Sequence, residues 1–363
     1  YGPDDISSGS GMQVAPHPHT GLQTVSWLLE GAVHHRDSLG SDVTFGPREL
    51  PLMTAGLGIA HSEQSPVAHP RLLHGVQLWV VLPDAVRDMA PAFEHHAALP
   101  GFTSDGMAAT VLVGELGGAR SPATAHTPLM GADLELAAGS DVEIPLEPGF
   151  EYGVLASSGA AEVEGAPLTT GAMLYLGTGR RARRVRGSAT ADGGPTRLML
   201  LGGAPFEERI VMWWNFVGRS GEEVVDYAEQ WNGESDRFGA VVGYDGARLE
   251  APPLPPVPLK VQTPSWQVWP SVHCMHALPD EPHCVSLEPI WQVPALSQHP
   301  KAQFDELHFA GPQETPIATE KPSAAPRAIH LKVVVMIVQP SPCSSREVQR
   351  LTPQFPVECR WRA

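Results

Sequence analysis

Two short segments place metal-binding side chains at alternate positions along the chain. The first is HPH, with His17 and His19, and the second is HSE, with His61 and Glu63. In a β-strand, residues i and i+2 point to the same face, and Pro18 favours an extended conformation at the residue before it. On facing strands, the two segments would bring three imidazoles and one carboxylate together. This donor set suits Fe, Mn, Co, Ni or Cu, and an octahedral ion would keep two positions open.

The alternative is that these histidines lie in loops or at the surface, which is the commoner situation for a single H-x-H segment. Here, both segments lie within glycine-rich, strand-like patterns, and this favours the metal site. Adjacent histidines fit the site less well, because neighbours on a strand point to opposite faces and cannot both be inward ligands. Two such pairs occur, His34–His35 and His95–His96. Three further histidines stand alone and are expected to be structural or exposed: His69, His74 and His126.

The elements that would position these residues are short strands separated by Gly, Pro, Asp and Ser turns. Examples are LQTVSWLLEG, GVQLWVVLP, ATVLVGEL, DVEIPLE, YGVLASSG and AMLYLGTG. Their spacing of about 8 to 12 residues is typical of a β-barrel or sandwich. One helix is predicted over SGEEVVDYAEQW, with Ser220 as its N-cap and acidic residues in its first turn.

The composition changes near Lys260. Of the 36 glycines only Gly311 follows it, whereas all four cysteines do: Cys274, Cys284, Cys343 and Cys359. Residues 241–260 form a proline-rich end segment, and we expect residues 261–363 to be a disordered extension or the product of a shifted reading frame. A small metal-binding module around HCMHALPDEPHC is the alternative, although no paired C-x-x-C knuckles frame it.

Bulk properties limit the partners. The net charge of −16 argues against direct nucleic-acid binding and against an anionic membrane surface, which both require a basic face. No apolar run approaches the roughly 18 residues of a spanning helix, and no secretory signal is visible. The first 260 residues contain no cysteine, so a reducing, cytoplasmic location is predicted.

The segments PHPHTGLQTVSWLLEGAVHHRDSLGS, LMTAGLGIAHSEQSP and HGVQLWVVLP resemble the N-terminal barrel of the pirin family of bicupins. The later LLGGAPFEERIVMWWNFVGRS and DRFGAVVGY resemble its C-terminal part. The resemblance covers residues 1–260 and implies an all-β fold of two tandem cupin barrels with few short helices. The implied units are a metal-bearing barrel over 1–104, lacking the family's first strands, and a metal-free barrel with a terminal helix over 105–240.

The resemblance also implies that His17, His19, His61 and Glu63 are the metal ligands, all of the expected type. The sequence departs from the family's H-P-H-R-G-F-E pattern at Thr20 and Gln23, which bears on the groups that support the ligands. In the second barrel no H-x-H or H-x-E occurs, and we expect its acidic residues to be solvated: Glu147, Glu151, Glu162 and Glu164. The run from Arg180 to Arg186 is interpreted as edge-strand protection, with an anion or partner contact as the alternative.

The function that the resemblance implies is that of a mononuclear metal dioxygenase similar to quercetin 2,3-dioxygenase, which opens the oxygen-bearing ring of a flavonol with O₂ and releases carbon monoxide. One divalent metal is implied, iron(II) first, with Mn, Co, Ni, Cu or Zn as alternatives, and Glu63 is the predicted catalytic base. Met53, Leu52 and Trp27 line an aromatic pocket or are ordinary core. The alternatives are a redox-sensing protein that binds a protein partner without turnover, and a storage or vestigial metal site. We expect a monomer.

Overall fold

The computed structural model describes residues 1–188 and 194–254. This part of the chain contains 23 strands and one helix, so the predicted all-β class is confirmed. Each of the six segments quoted above as strands overlaps a strand of the structure. The proposed disordered extension, the HCMHALPDEPHC segment and all four cysteines lie outside the described residues.

Two antiparallel sheets form the first half of the fold and pack their apolar faces together. One has the strand order β1-β8-β3-β6-β9 and the other the order β2-β7-β4-β5. The strands are β1 (Asp4–Asp5), β2 (Gln13–His19), β3 (Leu22–Glu30), β4 (Val33–Asp37), β5 (Asp42–Phe45), β6 (Leu50–Thr54), β7 (Ile59–Gln64), β8 (Leu72–Val81) and β9 (Ala92–His96).

The second half repeats this arrangement with a six-stranded and a four-stranded sheet, ordered β10-β11-β14-β21-β16-β19 and β15-β20-β17-β18, and a short ribbon of β12 and β13. Strand β10 belongs to this half by its pairing with β11. The strands are β10 (Gly101–Ser104), β11 (Met107–Val113), β12 (Glu115–Leu116), β13 (Ala119–Arg120), β14 (Leu129–Leu136), β15 (Asp141–Pro145), β16 (Glu151–Ser158), β17 (Ala160–Val163), β18 (Ala166–Thr169), β19 (Met173–Leu176), β20 (Ala182–Gly187) and β21 (Thr196–Gly203).

The C-terminal part of the described chain returns to the first half. A ribbon of β22 (Val211–Trp213) and β23 (Phe216–Gly218) precedes the helix α1 (Gly221–Asn232), and Phe216 bridges to Thr20, next to the HPH segment. The Ser220 side chain accepts a hydrogen bond from the backbone N–H of Glu223, so the predicted N-cap is present. No helix in the described ranges is long and apolar enough to cross a membrane.

Glycine is required at two turns that flank the candidate site. Gly21, between β2 and β3, has φ +66°, and Gly56, before β7, has φ +52°. A Cβ at these positions would lie 2.4 Å from the carbonyl oxygen of Val217 and 2.1 Å from that of Met89. Both turns therefore need positive φ and close backbone contact, which only glycine combines without strain.

A shared apolar core joins the two halves. It contains Trp27, Leu52 and Val76 from the first half and Leu155 and Leu201 from the second. The Trp27 indole N–H donates to Asp133 Oδ2 at 3.0 Å, which adds a polar link across this interface. Trp27 and Leu52 are therefore ordinary core residues rather than walls of a substrate pocket.

The interpretation of the arginine run as edge protection is wrong. Strand β20, which carries most of it, lies between β15 and β17 and has no free edge. Arg184 and Arg186 both donate to Asp141 on β15, and Arg186 also pairs with Glu162 on β17. These charges therefore connect neighbouring strands on the exposed face of the sheet.

Candidate metal centre

Three neighbouring strands carry a row of buried polar side chains on one face. His17 lies opposite His61 across β2 and β7, so HSE is on the adjacent strand of the same sheet rather than on a facing sheet. On the other side of β7, His35 of β4 lies opposite Glu63, and Asp37 lies opposite His61. Because cross-strand partners share a face, the pairing brings all these side chains to the interior of the first half.

His17, His19 and His61 form a compact group whose ring nitrogens approach one another within 4.8 Å. The Nε2 atoms of His19 and His61 are 3.1 Å apart. His17 Nδ1 donates to the Ala15 carbonyl oxygen at 2.9 Å, which leaves His17 Nε2 free to act as a ligand. The structure therefore brings together the three predicted imidazoles.

Glu63, the fourth predicted ligand, belongs to an overlapping group with His61 and His35. Both of its carboxylate oxygens accept from Gln77 Nε2, at 2.9 and 3.1 Å. His61 is thus shared by two overlapping groups, one with His17 and His19 and the other with His35 and Glu63. Glu63 therefore lies on the β4 side of the centre. A β-bulge between Val14 and His17 separates the pairing of Glu63 from that of His61.

His35, predicted only as one of an adjacent pair that fits the site less well, and Asp37, which was not predicted, both lie buried beside the expected ligands. His35 is buried, with Nδ1 3.4 Å from His61 Nδ1 and Nε2 3.3 Å from Asp37 Oδ2. Its neighbour His34 points outward to Asp42, as expected for adjacent strand residues. The spacing of His35 and Asp37, again i and i+2, was the signal that could have identified them.

Burial controls the protonation of this centre. It lowers the pKa of His17 to about 4 and those of His19 and His61 well below their ordinary value. Burial raises the pKa of Glu63, while His35 and the hydrogen bonds from Gln77 oppose the rise. The imidazoles are therefore held in the neutral form, which is the form that binds a metal ion.

Aromatic side chains close the site. The Trp79 ring meets the His19 ring edge-on, with centroids 5.0 Å apart, and the Phe93 ring stacks on His35 at 4.4 Å. Met53 belongs to the same apolar cluster as Trp79, so it is the one predicted pocket residue that lies on the site side. These walls keep the polar row out of bulk water.

The structure also tests several other predictions made from the sequence. His95 Nε2 donates to Glu49 and His96 Nε2 donates to Glu94, and neither histidine belongs to the groups of converging metal-binding side chains. In the second half, Glu147 and Glu164 are exposed, but Glu151 is 1% exposed, so the expectation that it is solvated was wrong. Both groups of three or more metal-binding side chains found among residues 1–188 and 194–254 lie in the first half.

The donor set fits a divalent transition metal. Two imidazole nitrogens about 2.1 Å from one ion and at right angles to each other are about 3 Å apart, and the Nε2 atoms of His19 and His61 are separated by 3.1 Å. Without an ion, one of these neutral rings can donate to the other at this distance, and a bound cation would replace that hydrogen bond. His17, His19 and His61, with Glu63 beside them, are the residues that would hold the ion.

Comparison with known proteins identifies the family. The sequence matches the Pirin family over residues 1–80 and the Pirin C-terminal cupin domain over residues 131–239. It is 44% identical over 254 residues to a candidate quercetin 2,3-dioxygenase of Pseudomonas aeruginosa, covering 70% of this chain and 79% of that protein. A pirin-like protein of Caulobacter vibrioides is 35% identical over 225 residues, covering 60% of this chain and 75% of that protein.

The same relationship is visible in three dimensions. The fold is similar to the crystal structure of a quercetin 2,3-dioxygenase from Acinetobacter baumannii, with a TM-score of 0.67 and 43% sequence identity. The similarity covers 72% of this chain and 85% of that chain. The predicted cupin architecture is thereby confirmed, and the chain belongs to the pirin family.

Proposed function

We propose that the protein is an Fe(II)-dependent dioxygenase that cleaves flavonols in the manner of a quercetin 2,3-dioxygenase. The observation that carries the proposal is the buried group of His17, His19 and His61, with neutral rings and converging nitrogens. The names of the Pseudomonas and Acinetobacter relatives support the substrate class. The reaction consumes one flavonol and one O₂ and yields a ring-opened ester and carbon monoxide.

A bound divalent metal would supply a Lewis-acidic, redox-active centre that lowers the pKa of a coordinated substrate hydroxyl. The chain itself has to receive the proton that this hydroxyl loses. Glu63 is the proposed acceptor, because it is a carboxylate beside the imidazoles and its burial raises its pKa above the ordinary value of a glutamate. Gln77 donates to both carboxylate oxygens and so fixes the orientation of Glu63.

The apolar surroundings contribute by limiting water. Trp79 and Met53 are each at most 3% exposed and pack in one cluster on the site side of the barrel. These apolar surroundings would contact an aromatic substrate bound at the metal, and they strengthen the electrostatic interactions within the site. The proposed ligands of this site are therefore a small aromatic substrate and O₂.

The test is metal content followed by oxygen uptake. The full chain, loaded anaerobically with Fe(II), is expected to retain about one ion per chain by elemental analysis, because the site offers one set of converging imidazoles. The His17→Ala/His61→Ala double variant should lose that ion. Addition of quercetin to the loaded wild-type protein should then cause O₂ consumption and carbon monoxide release in equal amounts.

A matched control shows whether metal binding requires these particular histidines. His126→Ala removes a histidine of the second barrel and should leave both metal content and O₂ consumption unchanged. Stoichiometric iron without quercetin-dependent O₂ uptake would contradict the enzyme and favour the redox-sensing alternative. Full metal occupancy in the double variant would contradict the assignment of the ligands.

A further inference from the structure

Asp37, His35 and His61 form a continuous buried row on the neighbouring strands β4 and β7. Asp37 Oδ2 lies 3.3 Å from His35 Nε2, and His35 Nδ1 lies 3.4 Å from His61 Nδ1. The other ring nitrogen of His61 faces His19. All members of the row are at most 3% exposed. The row thus leads from a carboxylate to the centre of the proposed metal site.

The chemistry of each atom assigns the protons along this row. An ionised carboxylate only accepts, so Asp37 requires the proton of His35 on Nε2. A neutral imidazole with its proton on Nε2 has an acceptor at Nδ1, which then receives the Nδ1–H of His61. His61 consequently presents an unprotonated Nε2 toward His19, and this is the tautomer that can bind a metal through that nitrogen.

Two further contacts fix the row at its carboxylate end and at its central imidazole. The Phe93 ring stacks on His35 with an interplanar angle of 11°, which fixes the plane of the imidazole. Asp37 uses its second oxygen, Oδ1, to accept from the backbone N–H groups of Leu39 and Ser41 at 2.9 and 3.0 Å. Oδ1 therefore holds the turn after β4, and Oδ2 accepts from His35.

We infer that Asp37 and His35 are positioning residues that set the tautomer and donor strength of His61 as a metal ligand. The inference rests on the proposed function, since it assumes that His61 binds the metal. A carboxylate acting through an imidazole makes the next imidazole a stronger donor and stabilises the more oxidised state of a bound ion. His35 acts through His61 and is not itself a ligand.

Asp37→Asn separates this role from the role in the turn. The asparagine side-chain oxygen can still accept from Leu39 and Ser41, whereas its NH₂ group would face His35 Nε2. A donor at that position forces the His35 proton onto Nδ1, opposite the Nδ1–H of His61. His35→Leu removes the acceptor altogether, and His35→Asn can place an oxygen near the former Nδ1 and restore it.

The experiment measures Zn²⁺ affinity of the full chain by competition with a chromophoric chelator. We expect Asp37→Asn and His35→Leu to weaken binding about 10- to 100-fold while still binding one ion at saturation, and His35→Asn to recover part of the loss. In the His35→Leu background, Asp37→Asn should have no further effect, because Asp37 acts through His35. With iron, Asp37→Asn should raise the Fe(III)/Fe(II) midpoint potential.

A spectroscopic readout tests the tautomer directly. Long-range ¹H–¹⁵N spectra of the histidine-labelled full chain should show His61 protonated on Nδ1 and His35 on Nε2, and Asp37→Asn should change the His35 pattern. The matched controls are His34→Asn and Asp42→Asn, which break the outward-facing pair on β4 and β5. They should leave affinity, potential and tautomers unchanged.

The experiments distinguish a failure of the proposed function from a failure of this inference alone. A wild-type chain that binds neither Zn²⁺ nor Fe(II) overturns the proposed function and this inference together. Normal metal binding in both wild type and Asp37→Asn, with the same tautomers, overturns the inference alone. Complete loss of binding in His35→Leu also overturns it, because His35 would then be a ligand.

Discussion

Glu151 begins β16 in the second barrel and is 1% exposed. Its Oε1 accepts from the Tyr175 hydroxyl at 3.0 Å, but Oε2 has no hydrogen-bond partner among the described residues. Burial raises the pKa of Glu151 to about 7, with the Tyr175 hydrogen bond opposing the rise. An acid of this kind stabilises the fold when protonated and destabilises it when charged.

The sign of the resulting pH dependence is fixed by the raised pKa. Between the ordinary value of 4.5 and about 7, the folded protein binds more protons at Glu151 than the unfolded chain, so this residue lowers stability as pH rises. We expect Glu151→Gln to stabilise the protein by about 1 to 3 kcal/mol at pH 8 and to have little effect at pH 4. Urea unfolding of both proteins at the two pH values measures the difference.

An exposed carboxylate on the neighbouring sheet provides the control. Glu143→Gln on β15 should change stability equally at both pH values. If Glu151→Gln behaves in the same way as this control, the carboxyl group titrates normally and its burial has no energetic consequence.

The sequence predicted individual site residues where the strand period alone determines their face. His17 and His19, and likewise His61 and Glu63, share a face because they are two residues apart in strands. The same rule could not decide which of His34 and His35 points inward, because both choices satisfy it. That decision depends on the register of β4 against β7, which is set by contacts distant in sequence.

At the scale of the elements, the helix shows how local signals can be sufficient. Ser220 has extended backbone dihedrals, and its side chain accepts from Glu223 N–H at 3.2 Å. The helix then buries Val224, Tyr227, Ala228 and Trp231. Because the cap and the apolar spacing are both local features, the sequence predicted this helix and its first residue correctly.

Removing the cap should therefore have a measurable cost. Ser220→Ala leaves the Glu223 N–H without its side-chain acceptor, and we expect a loss of about 1 kcal/mol in the free energy of unfolding. Urea denaturation followed by far-UV circular dichroism measures it. Ser220→Asp, which keeps an acceptor oxygen, should retain most of the stability. An equal loss of stability in both variants would show that the side-chain acceptor is not what stabilises the helix.

Strand neighbours were less predictable than strands. The arginine run was assigned to an edge because charge protects unpaired edges, yet β20 pairs on both sides. Its flanking strands, β15 and β17, occur earlier in the chain, and their acidic residues Asp141 and Glu162 meet Arg184 and Arg186 only after the sheet has formed. Which strand lies beside which is a property of topology rather than of local pattern.

At the scale of the whole molecule, the two barrels share one apolar core and are expected to unfold together. Trp27 and Leu52 from the first barrel pack in the same cluster as Leu155 and Leu201 from the second. Leu201 is 4% exposed and lies on β21, at the centre of the six-stranded sheet. Leu201→Ala should destabilise the protein by about 2 to 5 kcal/mol through lost burial and the cavity that remains.

Because the core is shared, this loss of stability in the second barrel should also make the first barrel unfold and release its metal at a lower temperature. Thermal unfolding of the Zn²⁺-loaded full chain can be followed by circular dichroism and by metal release to a colorimetric chelator. In Leu201→Ala, both signals should shift to lower temperature by the same amount and remain coincident. Leu249→Ala, at a site 41% exposed, is the control and should shift neither signal appreciably. If metal release keeps its wild-type temperature while circular dichroism shows an earlier transition, the barrels are energetically independent despite their common core.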